Sequence, residues 1–128
     1  MPVDALFEFE IDAQRGLVKV ALKGRLGTDE FLVGFDRLLA HPDFRPGMRI
    51  LVDMSEHVHA IGSEGIDRIA REFVRNCEAL RGSVMSVAVG KTVSYGMMRM
   101  LQIKVSDAPF TLFVFYNLHE AERAVGLR

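Results

Sequence analysis

The chain holds 128 residues, with 16 Lys+Arg against 17 Asp+Glu and a formal net charge of −1. Apolar residues make up 49% and charged residues 26%, enough hydrophobic mass for a core, which excludes intrinsic disorder. The near-zero charge excludes the clustered basic excess of a dedicated nucleic-acid binder, and the length fits one domain over residues 1–128.

The first segment, Phe7-Glu8-Phe9-Glu10-Ile11, alternates apolar and charged residues, the period of a strand with one wet face. Asp12-Ala13-Gln14-Arg15-Gly16 reads as a turn, and residues 17–23 alternate again, so the first two strands form a hairpin ended by Gly24 and Gly27. Thr28 is the expected cap of the next helix, with Asp29 and Glu30 in its first turn and Phe31, Phe35, Leu38 and Leu39 on its buried face. Residues 42–47, with two prolines, stop it. Arg49-Ile50-Leu51-Val52-Asp53 is a third strand, and its continuous apolar middle suits a central parallel position.

Ile66, Ile69, Ala70, Phe73, Val74, Cys77 and Leu80 fall at helical spacing and predict a long amphipathic helix stopped by Gly82. Glu64–Arg68 and Asp67–Arg71 stand as i,i+4 pairs on its wet face. Residues 84–89 predict a fourth strand. Residues 92–105 predict a helix packing through Val93, Met97, Met98, Leu101 and Val105. Residues 111–115 form the fifth strand, and Asn117 with Glu120 resembles a capping box that launches a last helix through Leu118, Ala121 and Val125. The order ββαβαβαβα implies an α/β fold: a mostly parallel five-stranded sheet with right-handed crossovers and an antiparallel edge. That exposed hairpin edge permits a homodimer.

Cys77 is the only cysteine, so no intramolecular disulfide forms, which favours a reducing interior. Met1-Pro2-Val3-Asp4 carries no basic n-region, and no apolar run approaches the roughly 20 residues that span a bilayer. A cytoplasmic location follows by elimination.

Ligand sites in such sheets lie beyond the carboxyl ends of the strands, here from Asp53, Gly90 and Tyr116 onward. The richest polar stretch is Asp53-Met54-Ser55-Glu56-His57-Val58-His59. A nucleophilic triad needs three groups in one hydrogen-bonded chain, which one short loop rarely supplies, and the G-x-S-x-G elbow is absent. His57 and His59 have metal-ligand chemistry beside Glu56 and Asp53, yet His41, His119 and Cys77 belong to other elements, so a solvated loop is preferred to a metal site. Cys77 lies in the apolar stripe and reads as a small buried hydrophobe. Gly90-Lys91-Thr92 is half of a phosphate-loop motif whose first glycine would fall on Met85; a strand exit with Thr92 as helix cap is the plainer reading. Tyr95-Gly96-Met97-Met98-Arg99-Met100 is dense in methionine, a feature of adaptable surfaces and, more often, of core filler. No cofactor, metal or catalytic constellation is expected.

Leu51-Val52-Asp53-Met54-Ser55, Ser63-Glu64-Gly65-Ile66, the Tyr95-Gly96 helix and Phe115-Tyr116-Asn117-Leu118-His119-Glu120-Ala121 resemble the STAS family, and more closely the stand-alone bacterial SpoIIAA-like proteins. The resemblance runs from Phe7 to Leu127. It implies a non-enzymatic interaction module, akin to the anti-sigma factor antagonists, in which a partner kinase phosphorylates a serine at the start of the long helix. The family motif runs roughly D-L-S-x-V-x-x-I-D-S-S-G-L. An ungapped count places Ser63 at the acceptor, whereas one inserted residue matches Val58, Ile61, Gly65 and Ile66 and places Glu64 there. The second register is preferred, so the switchable hydroxyl is replaced by a permanent carboxylate. The implied interaction loop comprises Asp53, Ser55, His57, His59, Ser63 and Glu64, with a regulatory protein, kinase or anti-sigma-like, as partner. Ser63 and Glu64 also suit a helix cap and a first-turn acid. Some SpoIIAA-like proteins resemble CRAL-TRIO lipid-binding domains, which gives a second expectation: a carrier of a small apolar or lipid-like ligand, lined by Tyr95, Met97, Met98 and Leu101.

Overall fold

The computed structural model describes residues 6–127, so the acidic opening, residues 1–4, lies outside the described part. Strands β1 (Phe7–Asp12) and β2 (Leu17–Leu22) are followed by helix α1 (Thr28–Ala40), β3 (Arg49–Asp53), α2 (Ser63–Arg75), β4 (Val84–Ala88), α3 (Thr92–Lys104), β5 (Thr111–Phe115) and α4 (Leu118–Ala124). The strands lie in the order β1-β2-β3-β4-β5; β1 and β2 pair antiparallel and every other pair is parallel. The sheet and element order are those expected from the hydropathy pattern.

Two apolar layers hold the sheet. One face buries Val18, Val20, Ile50, Val52, Met85, Val87 and Leu112 against Phe35, Leu38, Ile66, Ile69, Phe73, Met98 and Leu101 of α1, α2 and α3. The other buries Leu17, Leu51 and Ala88 against Ala121 and Val125 at α4. The strand order never reverses, so successive right-handed crossovers put α1–α3 on one side, and only the final helix crosses to the other. Arg49 locks that crossing: its guanidinium donates to the carbonyls of Val125 and Arg15, tying the end of α4 to the hairpin turn.

Local chemistry departs from expectation at the helix ends. Gly27, Gly62 and Lys91 are the N-caps, so Thr28, Ser63 and Thr92 are first helical residues and no cap. At α1, Glu30 closes the end by accepting from the Gly27 amide at 3.2 Å. The Asn117 cap is as expected, its side chain accepting from the Glu120 amide at 2.9 Å. Helix α2 stops at Arg75, short of Cys77 and Leu80, because the Asn76 side chain donates to the Glu72 carbonyl (2.8 Å) and the chain tightens into successive turns. Leu80 is still fully buried from that turn, whereas Cys77 is only partly buried and Val74 is half exposed. Val93, expected to pack, is also about half exposed.

The closest ion pairs of α2 cross to its neighbours instead of running i,i+4, although Arg71 still acts on Asp67 through charge. Arg68 reaches Asp29 of α1 at 2.9 Å, and Asp67 reaches Lys104 of α3 at 2.6 Å. The Lys104 ammonium holds the Asp67 carboxyl below its ordinary range. Exposed pairs of this kind contribute little stability and serve to register α2 between its neighbours.

Candidate functional site

The carboxyl ends of β2, β3 and β4 carry three loops that are stitched together by backbone groups. Gly24 and His57 form an isolated parallel bridge, with the Gly24 amide donating to Glu56 (3.0 Å) and the Val58 amide donating to Gly24 (2.7 Å). The Met54 amide donates to Ala88, and Lys91 Nζ donates to the His57 carbonyl at 3.4 Å. The segment from Met54 to Val58 is therefore tied to β4, to the β2–α1 turn and to the start of α3, and the chain then buries Ile61 before entering α2.

His57 is the centre of this stitching and not a solvated loop residue. It is 2% exposed, and its Nε2 lies 2.8 Å from the Leu26 carbonyl. A carbonyl accepts only, so Nε2 carries the hydrogen and the Nδ1 lone pair is left buried without a partner. Burial is the largest influence on the imidazole and pushes its pKa below the ordinary 6.5; the bond to Leu26 opposes this, and His59 and Lys91 add to it.

That shift fixes a pH dependence. The unfolded imidazole takes a proton near 6.5, and the folded one takes it only at lower pH. Between those values the unfolded chain binds the extra proton, so stability contributed by His57 is complete above 6.5 and is lost as pH falls through the folded pKa. Each pH unit of separation corresponds to about 1.4 kcal/mol. Denaturant titrations at a series of pH values between 8 and 5 are expected to show a steeper acid loss for the wild-type chain than for His57→Gln, and equal slopes would refute the assignment.

The six residues grouped by sequence do not form one cluster. Ser55, His59, Ser63 and Glu64 are exposed on the loop and the first turn of α2. His57 lies beneath them as an anchor. Asp53 ends β3 and shares the trough under the sheet with Glu8, Glu10, Lys19, Leu51 and Glu122, on the side of α4; its Oδ1 accepts from the Ser55 amide at 2.9 Å. Among the described residues no group of three or more His, Cys, Asp or Glu is placed to hold a metal. Lys91 of the half phosphate motif spends its ammonium on the His57 carbonyl.

The four residues expected to line an apolar ligand site are also divided. Met98 and Leu101 face a wholly apolar void of about 30 Å³ shared with Met54, Ile61, Phe73 and Met85. That is space for no more than a water or two, and a void without polar partners stays dry. Tyr95 instead stacks on Tyr116, with ring centroids 4.0 Å apart and planes 5° apart, and Met97 packs at the core margin. The methionine helix thus closes a packed core.

Sequence reasoning missed the apolar members of the rim. Val58 is 39% and Tyr116 51% exposed. Val58 had a signal, since it matches an apolar position in the family motif. Tyr116 had a positional signal at the carboxyl end of β5, but its stack on Tyr95 joins two elements and left no trace in the sequence.

No family model matches the chain, and no curated protein matches it in sequence. Among solved structures, an uncharacterized protein of the DUF3478 family with a SpoIIAA-like fold, from Shewanella loihica PV-4, is similar with a TM-score of 0.58 at 11% identity, over 93% of this chain and 91% of that one. An identity that low speaks for architecture alone. The chain therefore has the SpoIIAA-like α/β fold.

Proposed function

We propose that residues 1–128 form one STAS/SpoIIAA-like domain acting as a non-enzymatic protein-interaction and regulatory module in the cytoplasm, as anti-sigma factor antagonists do. The docking surface is the loop from Ser55 to Gly62 with Ser63 and Glu64. The observation that carries this reading is exposure beside an anchor: exposed Ser55, Val58, His59, Ser63 and Glu64 surround buried His57, which is bonded to the Leu26 carbonyl. A preformed surface with an apolar contact and a polar surround loses little conformational entropy on docking.

In this reading Glu64 stands permanently where relatives of the switch type carry an acceptor serine. A carboxylate in the first turn suits the helix dipole but has one charge and a planar shape, so partner binding is constitutive. The lipid-carrier alternative receives no support from the apolar void of about 30 Å³, well below the roughly 300 Å³ at which ligand pockets begin.

Affinity capture with the wild-type chain, Val58→Arg and Ser63→Arg checks the reading. Wild type is expected to retain a partner that both variants lose, with Ser63 unmodified in the captured material by mass spectrometry. Identical partners for all three would remove the loop from the interface, and stoichiometric phosphate on Ser63 would restore the ungapped register.

A further inference from the structure

The two edges of the sheet are protected very differently. Strand β1 carries exposed Glu8, Glu10 and Asp12 at alternate positions, the charge pattern that discourages a neighbouring strand. Strand β5, Thr111-Leu112-Phe113-Val114-Phe115, has no charge, no proline and no bulge. Thr111 donates to Ser83 and Phe115 accepts from Val89, so the odd-numbered residues bond inward to β4 and Leu112 and Val114 turn their backbone groups outward. The Leu112 carbonyl is covered by Gln102 Nε2 at 2.7 Å. The Val114 amide and carbonyl lie beyond that cover. Beside them Phe113 is 40% exposed and stands 6.3 Å from Phe115, centroid to centroid.

We propose that β5 pairs antiparallel with β5 of a second copy about a two-fold axis at Val114, joining two sheets into one of ten strands. This register is self-complementary. Val114 exchanges both backbone bonds with its own counterpart, and Phe113 of each copy lies opposite Phe115 of the other, the aromatic cross-strand pairing that stabilises antiparallel neighbours. The two-fold also turns toward each other the α4 sides that line the cleft at Phe115, which carry Glu120 and Arg123; opposite charges then meet reciprocally, as an isologous contact requires. The hairpin edge, the one favoured by sequence for dimerisation, stays free. So does the loop from Ser55 to Gly62, which leaves both docking surfaces of the dimer available.

Sedimentation over a concentration series tests this, with circular dichroism to verify folding. Wild type is expected to form a dimer. Phe113→Lys is expected to weaken it on the order of tenfold or more, by placing a charge opposite Phe115. Arg123→Glu is expected to weaken it most at low salt. Exchange of the Val114 amide reads the same contact without any substitution: it is expected to be slow in concentrated and fast in dilute wild-type protein. A monomer at every concentration, a dimer indifferent to either substitution, or a Val114 amide whose exchange ignores dilution would each overturn the pairing.

Discussion

Phe73→Ala is expected to lower stability by about 3–5 kcal/mol, the largest effect of any single side chain considered, and to move the thermal midpoint down by roughly 10–20 °C. Phe73 projects from the last turn of α2 into the core shared with α1 and α3. It is 2% exposed, and its ring lies 4.9 Å from Phe35, 6.1 Å from Phe31 and 6.1 Å from Phe110, centroid to centroid. Truncation therefore removes contacts to α1 and to the segment entering β5 together. The void of about 30 Å³ already borders the ring, so truncation would extend it. Thermal and denaturant unfolding measure the loss, and a cost under about 1 kcal/mol would mean that α2 is not the keystone of the helical layer.

The second large effect is expected at Gly65, where the start of α2 crosses α1. A Cβ there would lie 2.2 Å from Thr28 Oγ1, closer than packed atoms come, and 3.0 Å from Ile61 Cγ2, a tight contact. Gly65→Ala is expected to cost about 1–3 kcal/mol despite alanine's better helix propensity, since the overlap must push the two helix starts apart. Thr28→Ala removes the offending oxygen, and in the Gly65→Ala background it is expected to recover most of the loss. The coupling in the double-mutant cycle is the readout. Additive effects would show that the two helix starts do not touch as described. The same pair positions Ser63 and Glu64, so Gly65→Ala should also weaken partner capture while Gly65→Ala/Thr28→Ala restores it.

The hydropathy pattern disclosed the sheet almost completely, because each strand advertises its wet and dry faces within five or six residues. Glu8 and Glu10 alternating with Phe7 and Phe9 mark an edge, and Ile50-Leu51-Val52 marks a strand buried on both faces. Helix ends were less legible. A glycine N-cap such as Gly62 offers no side-chain signature, and Thr28 or Ser63 beside it draws the eye to the wrong position. The end of α2 was hidden too, since Leu80 keeps the helical rhythm while being buried from a turn.

The candidate site was legible only in its exposed part. Ser63 and Glu64 are where a helix start ought to display them. His57 was not foreseen as an anchor, because its partner Leu26 lies 31 residues away and nothing local distinguishes it from His59. Asp53 shares a chain segment with the loop but belongs to the trough on the α4 side, a consequence of strand alternation: Val52 points to the helices, so Leu51 and Asp53 do not. The Tyr95–Tyr116 stack likewise joins two elements that only the folded chain brings together.

Amide chemical-shift mapping of the isotope-labelled chain with its captured partner bears most directly on the interaction reading. The perturbed amides are expected to concentrate between Ser55 and Glu64, extending to Lys91, with the α4 side of the sheet unaffected. Perturbations centred on Glu8, Glu10, Asp53 and Glu122, with the loop unchanged, would contradict it.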